Sequence, residues 1–544
     1  MNSSSTPVGY LRLTSSHRPG AKTALEALQR VNRPVYVAAT TTGKGFYSDG
    51  EAVITSAPAA AGDCALFAVA PPLPLQRCGN DNFLRCHGVR YPVVAGSMAK
   101  GISSVELVIA MGKAGMLGCF GAAGLTLDQV DEAITTLQRQ LGELPFGVNL
   151  IHSPHEQELE QALVELYLRR NVRLVEASAF LTMSANIVRY RLHGIHRGAD
   201  GSIITPNRVI GKISREEVAR QFLAPPPEKI IRQLLEQGHI TPEQAQLAQL
   251  VPVAEDITAE ADSGGHTDNR PALSLFPTIC ALRDEIQRRH QYAAVPRVGL
   301  AGGIACPRSA AAAMAMGADY LVTGSVNQAC IESGTCDAVR AMLAQTRQAD
   351  IAMAPAADMF EMGVEVQVLK RGTMFSMRAA KLYELYRAYP SLDAIPADER
   401  KKLEQTFFRQ PLGDVWRQTR EFFLNRDPRQ VERAERDPKH LMALVFRSYL
   451  GQATHWAIAG DEQHRMDYQI WCGPAMGAFN EWSAGTFMQQ AENRRVAEVN
   501  LNILFGAAVL TRANILRNYG VALPDAELSI TPLTTEQIKE YLRD

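Results

Sequence analysis

The chain has 544 residues, with 56 Lys and Arg against 57 Asp and Glu for a formal net charge of −1. Its 46% apolar and 21% charged content is ordinary globular usage, which excludes a disordered or fibrous chain. The even charge argues against nucleic acid as the main partner, because a phosphate-tracking surface is strongly basic. The length suits several domains, or one barrel-sized domain with additions. No stretch reaches the ~18 continuous apolar residues of a membrane span; the richest run, 501–516, is broken by Gly506, Thr511, Arg512 and Asn514. The opening Met1-Asn2-Ser3-Ser4-Ser5 lacks the basic-then-apolar order of a secretory leader. Nine cysteines without a C-x-x-C pair suit reduced thiols, so a cytoplasmic protein is expected.

Residues 1–85 read as irregular and extended, with strand-like runs at 35–39 and 64–69 that predict a small β-rich element. From Tyr91 onward, short apolar runs alternate with segments of helical period, the pattern of parallel strands buried on both faces. Strands are predicted at 93–96, 117–120, 146–150, 174–177, 209–213, 257–261, 298–301 and 320–323. Helices fall between them at 104–114, 127–141, 155–170, 185–192, 215–222, 273–290 and 309–316. Eight such units predict an α/β fold, a (β/α)8 TIM barrel over 86–350. The spacing breaks once, at a helical insertion over 223–252. There Pro225-Pro226-Pro227 ends a helix and Thr241-Pro242 opens another, and the insertion is expected to cover the active face or pack beside it. Residues 351–544 read as a mostly helical subdomain capping the barrel.

Chemistry in this fold gathers at the C-terminal ends of strands. The seventh strand ends in Gly302-Gly303 and the eighth in Gly324-Ser325, the usual phosphate position, where glycine lets backbone N–H groups approach an anion. The sixth leads to Gly264-Gly265-His266, placing an imidazole in reach of a pocket as a proton donor. Asn149, Glu176 and Lys212 lie at or near the ends of strands three to five, and polar groups inside apolar strands are costly unless paired or used. Lys212 reads either as an ion pair with Glu176 or Glu260, or as a desolvated Schiff-base nucleophile. Gly96-Ser97-Met98 after the first strand offers small residues and a polarizable side chain on which a flat ring can lie. No metal cluster is predicted.

These strand ends resemble the flavin barrels of nitronate monooxygenases and enoyl reductases. The resemblance rests on the segment from Tyr91 to Met98, on Gly147-Val148-Asn149, Gly264-Gly265-His266, Ala301-Gly302-Gly303, Gly317-Ala318-Asp319 and Thr323-Gly324-Ser325. Further segments are similar to the stand-alone enoyl reductases of polyunsaturated fatty acid and polyketide synthases: Glu176-Ala177-Ser178, Gly211-Lys212-Ile213-Ser214-Arg215, Thr267-Asp268-Asn269-Arg270, Lys370-Arg371-Gly372-Thr373, and Trp471-Cys472-Gly473-Pro474. The resemblance implies FMN, with its phosphate on the last two glycine turns and its ring near Ala95 to Met98 and Asn149. The implied cofactor-contacting set is Ala95, Gly96, Ser97, Met98, Asn149, Glu176, Lys212, Gly265, Gly302, Gly303, Gly324 and Ser325. It also implies NADPH as reductant, an enoyl thioester on an acyl carrier protein as substrate, and His266 as carbonyl polariser or proton donor. Thr267-Asp268-Asn269 departs from the simpler nitronate enzymes.

A docking surface for an acidic carrier is expected at Arg189, Arg191, His193, His196 and Arg197. The helical tail offers apolar surface for a homodimer, and whether 473–480 reaches the site is left open by the sequence. The alternatives are a nitronate monooxygenase-like flavin oxidase, a phosphate-binding lyase using Lys212, and a barrel kept only as a scaffold.

Overall fold

The computed structural model describes residues 6–13, 23–41, 43–57, 60–152 and 157–543. The leader reading at residues 1–5, and the first two residues of the helix expected over 155–170, lie outside the described residues. Strands β1 (Gly9–Arg12), β2 (Val35–Thr40), β3 (Gly43–Tyr47), β4 (Glu51–Ile54) and β5 (Cys64–Ala70) form an antiparallel sheet in the order β3-β2-β5-β1-β4. The sequence pointed to β2 and β5, whose alternate residues are buried; β4 is four residues long and has no buried face to leave a pattern.

The chain then lays down β6 (Val93–Ala95), β7 (Leu117–Phe120), β8 (Gly147–Ile151) and β9 (Leu174–Ser178). A hairpin of β10 (His196–Arg197) and β11 (Ile203–Ile204) intervenes before β12 (Arg208–Ile213) and β13 (Asp256–Glu260). The short β14 (Gly265–His266) precedes β15 (Arg297–Ala301) and β16 (Leu321–Thr323), and β17 (Ile351–Pro355) and β18 (Glu365–Leu369) follow. Eight of these close in parallel as β12-β13-β15-β16-β6-β7-β8-β9, the predicted barrel. The surrounding helices form because their apolar residues recur on one face. In Leu127–Leu141, Val130, Ile134, Leu137 and Leu141 are buried, and a capping box between Thr126 and Gln129 starts the helix. Helix Asp81–His87 plugs the N-terminal end of the barrel, with Phe83 stacked 4.3 Å from the Tyr320 ring.

The insertion, helices Glu228–Glu236 and Pro242–Leu247, does not cover the active face. It follows helix Glu216–Leu223 and leads into the start of β13, so the βα topology carries it to the N-terminal end. The expected docking cluster lies at that same end and is not a free cationic patch. Arg191 is 2% exposed, donating to the carbonyls of Asn207 and Pro252 and pairing with Glu255 at 2.7 Å. Arg189 pairs with Glu165 at 3.1 Å. A buried arginine looks the same as an exposed one in sequence, and only packing separates them.

Helices Phe375–Ala388, Leu412–Arg426 and Pro438–Ala459 share a second core around Phe360, Phe375, Phe446 and Tyr449, and helix Pro428–Arg436 packs outside it against Pro438–Ala459. The final long helix, Val496–Asn518, is by length and composition apolar enough to cross a membrane, although its polar residues suggested otherwise. Of its most apolar window, 83% is buried inside the protein. Its apolar residues pack on helix Pro307–Ala315 and on the N-terminal sheet. Gly506 marks the crossing, since a Cβ there would stand 2.4 Å from Pro307. Arg512 is fully buried and donates to the carbonyls of Leu28, Arg30, Arg33 and Pro71, tying this helix to the sheet.

Candidate active site

At the C-terminal mouth of the barrel the last two strands end in glycine turns. Gly302 has φ +85°, and a Cβ would meet the Ala261 carbonyl carbon at 2.6 Å. Gly303 has φ +77°, and nothing lies within 4 Å of where its Cβ would stand; the same open space surrounds Gly324. At Gly303 and Gly324 the backbone is thus unobstructed where a side chain would stand. Beside them the Ser263 hydroxyl is buried without a hydrogen-bond partner. A buried hydroxyl without a partner costs free energy unless a ligand satisfies it. Gln367 holds the turn carrying it, donating to Asp262 Oδ1 at 2.6 Å and to the Ser263 carbonyl at 3.1 Å.

The floor of the mouth is a buried ionic group. Glu176 is fully buried; its Oε2 accepts from the Ser97 amide at 2.8 Å and from the Ser97 hydroxyl, while its Oε1 has no partner. Lys212 Nζ stands 3.9 Å from Glu176, 3.7 Å from Glu260 and 3.5 Å from the Ser97 carbonyl. Burial opposes the Lys212 charge, but Glu260 and Glu176 outweigh it and raise its pKa above the ordinary lysine value. Burial likewise raises the Glu260 carboxyl, against the pull of Lys212. A Schiff-base lysine needs a free amine, hence a depressed pKa; this geometry does the reverse and satisfies both ion-pair readings at once. Lys212 is therefore expected to give no borohydride-trapped adduct with a carbonyl compound at neutral pH, checked by intact mass; an adduct there would revive the lyase reading.

Ala95, the last residue of β6, is buried, and the Gly96 amide donates to the Thr323 carbonyl at 3.0 Å. Met98 is half-buried, its amide bonded to the Ser103 hydroxyl at 2.9 Å. Asn149 is buried and donates to the Glu176 carbonyl and, at 2.8 Å, to the Ser178 hydroxyl, so its amide also ties β8 to β9. The expected set thus gathers at one end of the barrel, with Ala95 to Met98, Asn149, Glu176 and Lys212 as floor, and Gly302, Gly303, Gly324 and Ser325 along one wall.

His266 stands over this floor. Its side chain is 38% exposed, which leaves it accessible to a substrate, and its Nε2 lies 3.0 Å from Asp358 Oδ1. Burial disfavours the imidazolium, but the hydrogen bond to Asp358, its charge and that of Glu260 together raise the histidine pKa. Pairing of β14 with β18 fixes the histidine, matching Gly265 to Gln367 and His266 to Val366. Gly265, with φ +79°, faces the Trp471 ring. Asp358, Ser263, Trp471 and Gly473 were not singled out as site residues from the sequence. Asp358 carries no motif, whereas Trp471 and Gly473 stood in a segment whose resemblance to the family was already visible.

Residues 81–388 match the family described as nitronate monooxygenase, which is more than half of the chain and includes the barrel and its mouth. The chain belongs to the nitronate monooxygenase family. Residues 389–468, the added helices, match the inserted helical domain of acyl-carrier-protein S-malonyltransferase. Proteins similar to this chain include one of the polyunsaturated fatty acid synthase polypeptides of Thraustochytrium sp., 50% identical over 457 residues, 83% of this chain and 30% of that protein. The polyketide biosynthesis protein PksE of Bacillus subtilis is 43% identical, over 82% of this chain and 58% of that one. The chain thus spans less than two thirds of either relative. Among solved structures, the enoyl reductase domain of MlnA, from the macrolactin cluster of Bacillus amyloliquefaciens, superposes with a TM-score of 0.79 at 38% identity. That match covers 82% of this chain and all of the other. The resemblance drawn from the strand-end motifs is borne out at the level of family and fold.

Proposed function

We propose that this nitronate monooxygenase-family barrel is an FMN- and NAD(P)H-dependent enoyl reductase. Its substrate is an α,β-unsaturated acyl thioester on an acyl carrier protein, in polyketide or polyunsaturated fatty acid biosynthesis. The observation that carries the reading is the His266–Asp358 pair, an accessible imidazole held towards its protonated form above a floor whose Glu176 Oε1 has no protein partner, beside glycine turns where Ser263 Oγ has none. The residues fit a flavin mononucleotide: the glycine turns at Gly302, Gly303 and Gly324, with Ser263 and Ser325, suit its phosphate, and Ala95 to Met98 with Asn149 suit its ring. When bound, that group would supply hydride, taken from the nicotinamide, to the β-carbon of the enoyl thioester. His266 then holds the proton required at the α-carbon, or hydrogen-bonds the thioester oxygen as negative charge develops there. Asp358 favours the protonated imidazole, raising its pKa against the effect of burial, and orients the ring. Lys212, held between Glu176 and Glu260, places a positive charge in the floor.

The likeness to the MlnA enoyl reductase domain and to the fatty acid and polyketide synthase proteins supports this substrate class over a nitroalkane. The added helices, similar to an insertion in an acyl-carrier-protein transferase, support a carrier-borne substrate. The test is anaerobic incubation with NADPH and a carrier-bound enoyl thioester, followed by mass spectrometry of the acyl group. The saturated product is expected; its absence, with flavin reduced by a nitroalkane salt instead, would favour the oxidase reading.

A further inference from the structure

The segment after the added helices closes back onto the mouth of the barrel. Residues 471–474 lie beyond both family matches, which end at 388 and 468. The Ile470 carbonyl accepts from the Leu369 amide at 2.9 Å, Trp471 forms a bridge with Val368, and the Cys472 amide donates to the Gln367 carbonyl at 3.3 Å, so the segment runs alongside β18. It then meets the histidine loop backbone to backbone. A Cβ on Gly473 would lie 2.7 Å from the Gly264 nitrogen, and one on Gly264 would lie 2.8 Å from the Gly473 nitrogen. From that interlock the Gly473 amide donates to Ser325 Oγ at 3.0 Å.

A serine hydroxyl has one hydrogen and two lone pairs. With a lone pair of Ser325 taken by Gly473, the hydroxyl hydrogen remains available to a ligand at the adjoining Gly324 turn. The partnerless Ser263 Oγ sits one residue from Gly264, so the same interlock also fixes a second donor.

We infer that Gly473 is a positioning residue for a phosphate monoester: by holding Ser325 and abutting Gly264, the C-terminal segment forms the third wall of the anion cradle. This rests on the flavin mononucleotide reading above. The wall is built from glycine because the two main chains approach too closely for any side chain, and an amide donor aims a hydroxyl without adding charge. The cradle is then shared between the barrel and the tail, so loss of tail order is loss of phosphate affinity.

The test compares FMN with riboflavin, which lacks the phosphate, in titrations of flavin-depleted protein followed by flavin fluorescence. Ser325→Ala and Gly473→Ala are each expected to raise the Kd for FMN by about tenfold or more, the worth of a hydrogen bond to a charged group. Riboflavin affinity should stay unchanged, and the double variant should cost little more than the worse single one, because Gly473 acts through Ser325. Gly264→Ala, which presses on Gly473 from the other side, gives the same phosphate-selective loss and serves if Gly473→Ala does not melt cooperatively. Amide exchange at 471–476 should slow on adding FMN and not on adding riboflavin. Equal weakening of both flavins, additive losses, or exchange indifferent to the phosphate would overturn the role of Gly473. Wild-type protein that binds riboflavin as tightly as FMN, or neither, would instead overturn the cofactor reading itself.

Discussion

His266→Ala is expected to lower the rate of enoyl reduction by about 10²–10⁴-fold, the usual worth of a positioned acid, with flavin content unchanged. The ring stands at the mouth, 3.0 Å from Asp358, and contacts no element of the glycine cradle by hydrogen bond among the described residues. Its removal therefore takes away a proton or a hydrogen bond and leaves the cofactor's anchors in place. The pH profile gives the sign. Burial lowers the imidazole pKa, but Asp358 and Glu260 outweigh it, so the folded value lies above the ordinary one. A donor of this kind is competent below that value and fails as the pH rises through it. Asp358→Asn is accordingly expected to move the alkaline limb of kcat/KM to lower pH. Unchanged turnover in His266→Ala, measured with saturating NADPH, would reject the assignment.

Asp256→Ala is expected to cost about 3–5 kcal/mol of stability, the range for breaking a buried ion pair from one side. Asp256 has no exposure; its two oxygens meet Arg297 at 2.6 and 2.8 Å, and one also meets His87 at 2.8 Å. These contacts join β13, β15 and the plugging helix at the N-terminal end of the barrel. Truncation leaves the Arg297 guanidinium, 3% exposed, without its carboxylate. Burial alone would raise the Asp256 pKa, but His87 and Arg297 reverse that and hold it far below the ordinary carboxylate range. A depressed acid stabilises above the unfolded value of about 3.9 and loses that stability as pH falls towards the folded one. Urea midpoints between pH 7 and pH 3 check this: the wild type should lose stability over that span more steeply than Asp256→Asn. Parallel curves would show that the cluster carries no such linkage.

Much of the barrel was legible because each strand is buried on both faces and so reads as a short apolar run. The glycine turns were legible because phosphate sites in this fold fall after the last two strands. Asp358 escaped because it lies in an irregular stretch and reaches His266 across 92 residues of sequence. Arg191 misled because its neighbours in sequence are basic, whereas its neighbours in space are carbonyls and Glu255. The tail's part in the site rests on two glycine backbones in contact, which no periodicity records. In the helix Val496–Asn518, Arg512, read as an interruption, proves to be structural, collecting four carbonyls, and Asn500 just before the apolar run bonds Thr323 and Asn327 behind the last barrel strand.

The most direct measurement is the identity of the chromophore released when the purified protein is denatured. FMN, stoichiometric with the chain, is expected. A colourless protein that takes up no flavin, or one that releases a flavin lacking a terminal phosphate monoester, would contradict it.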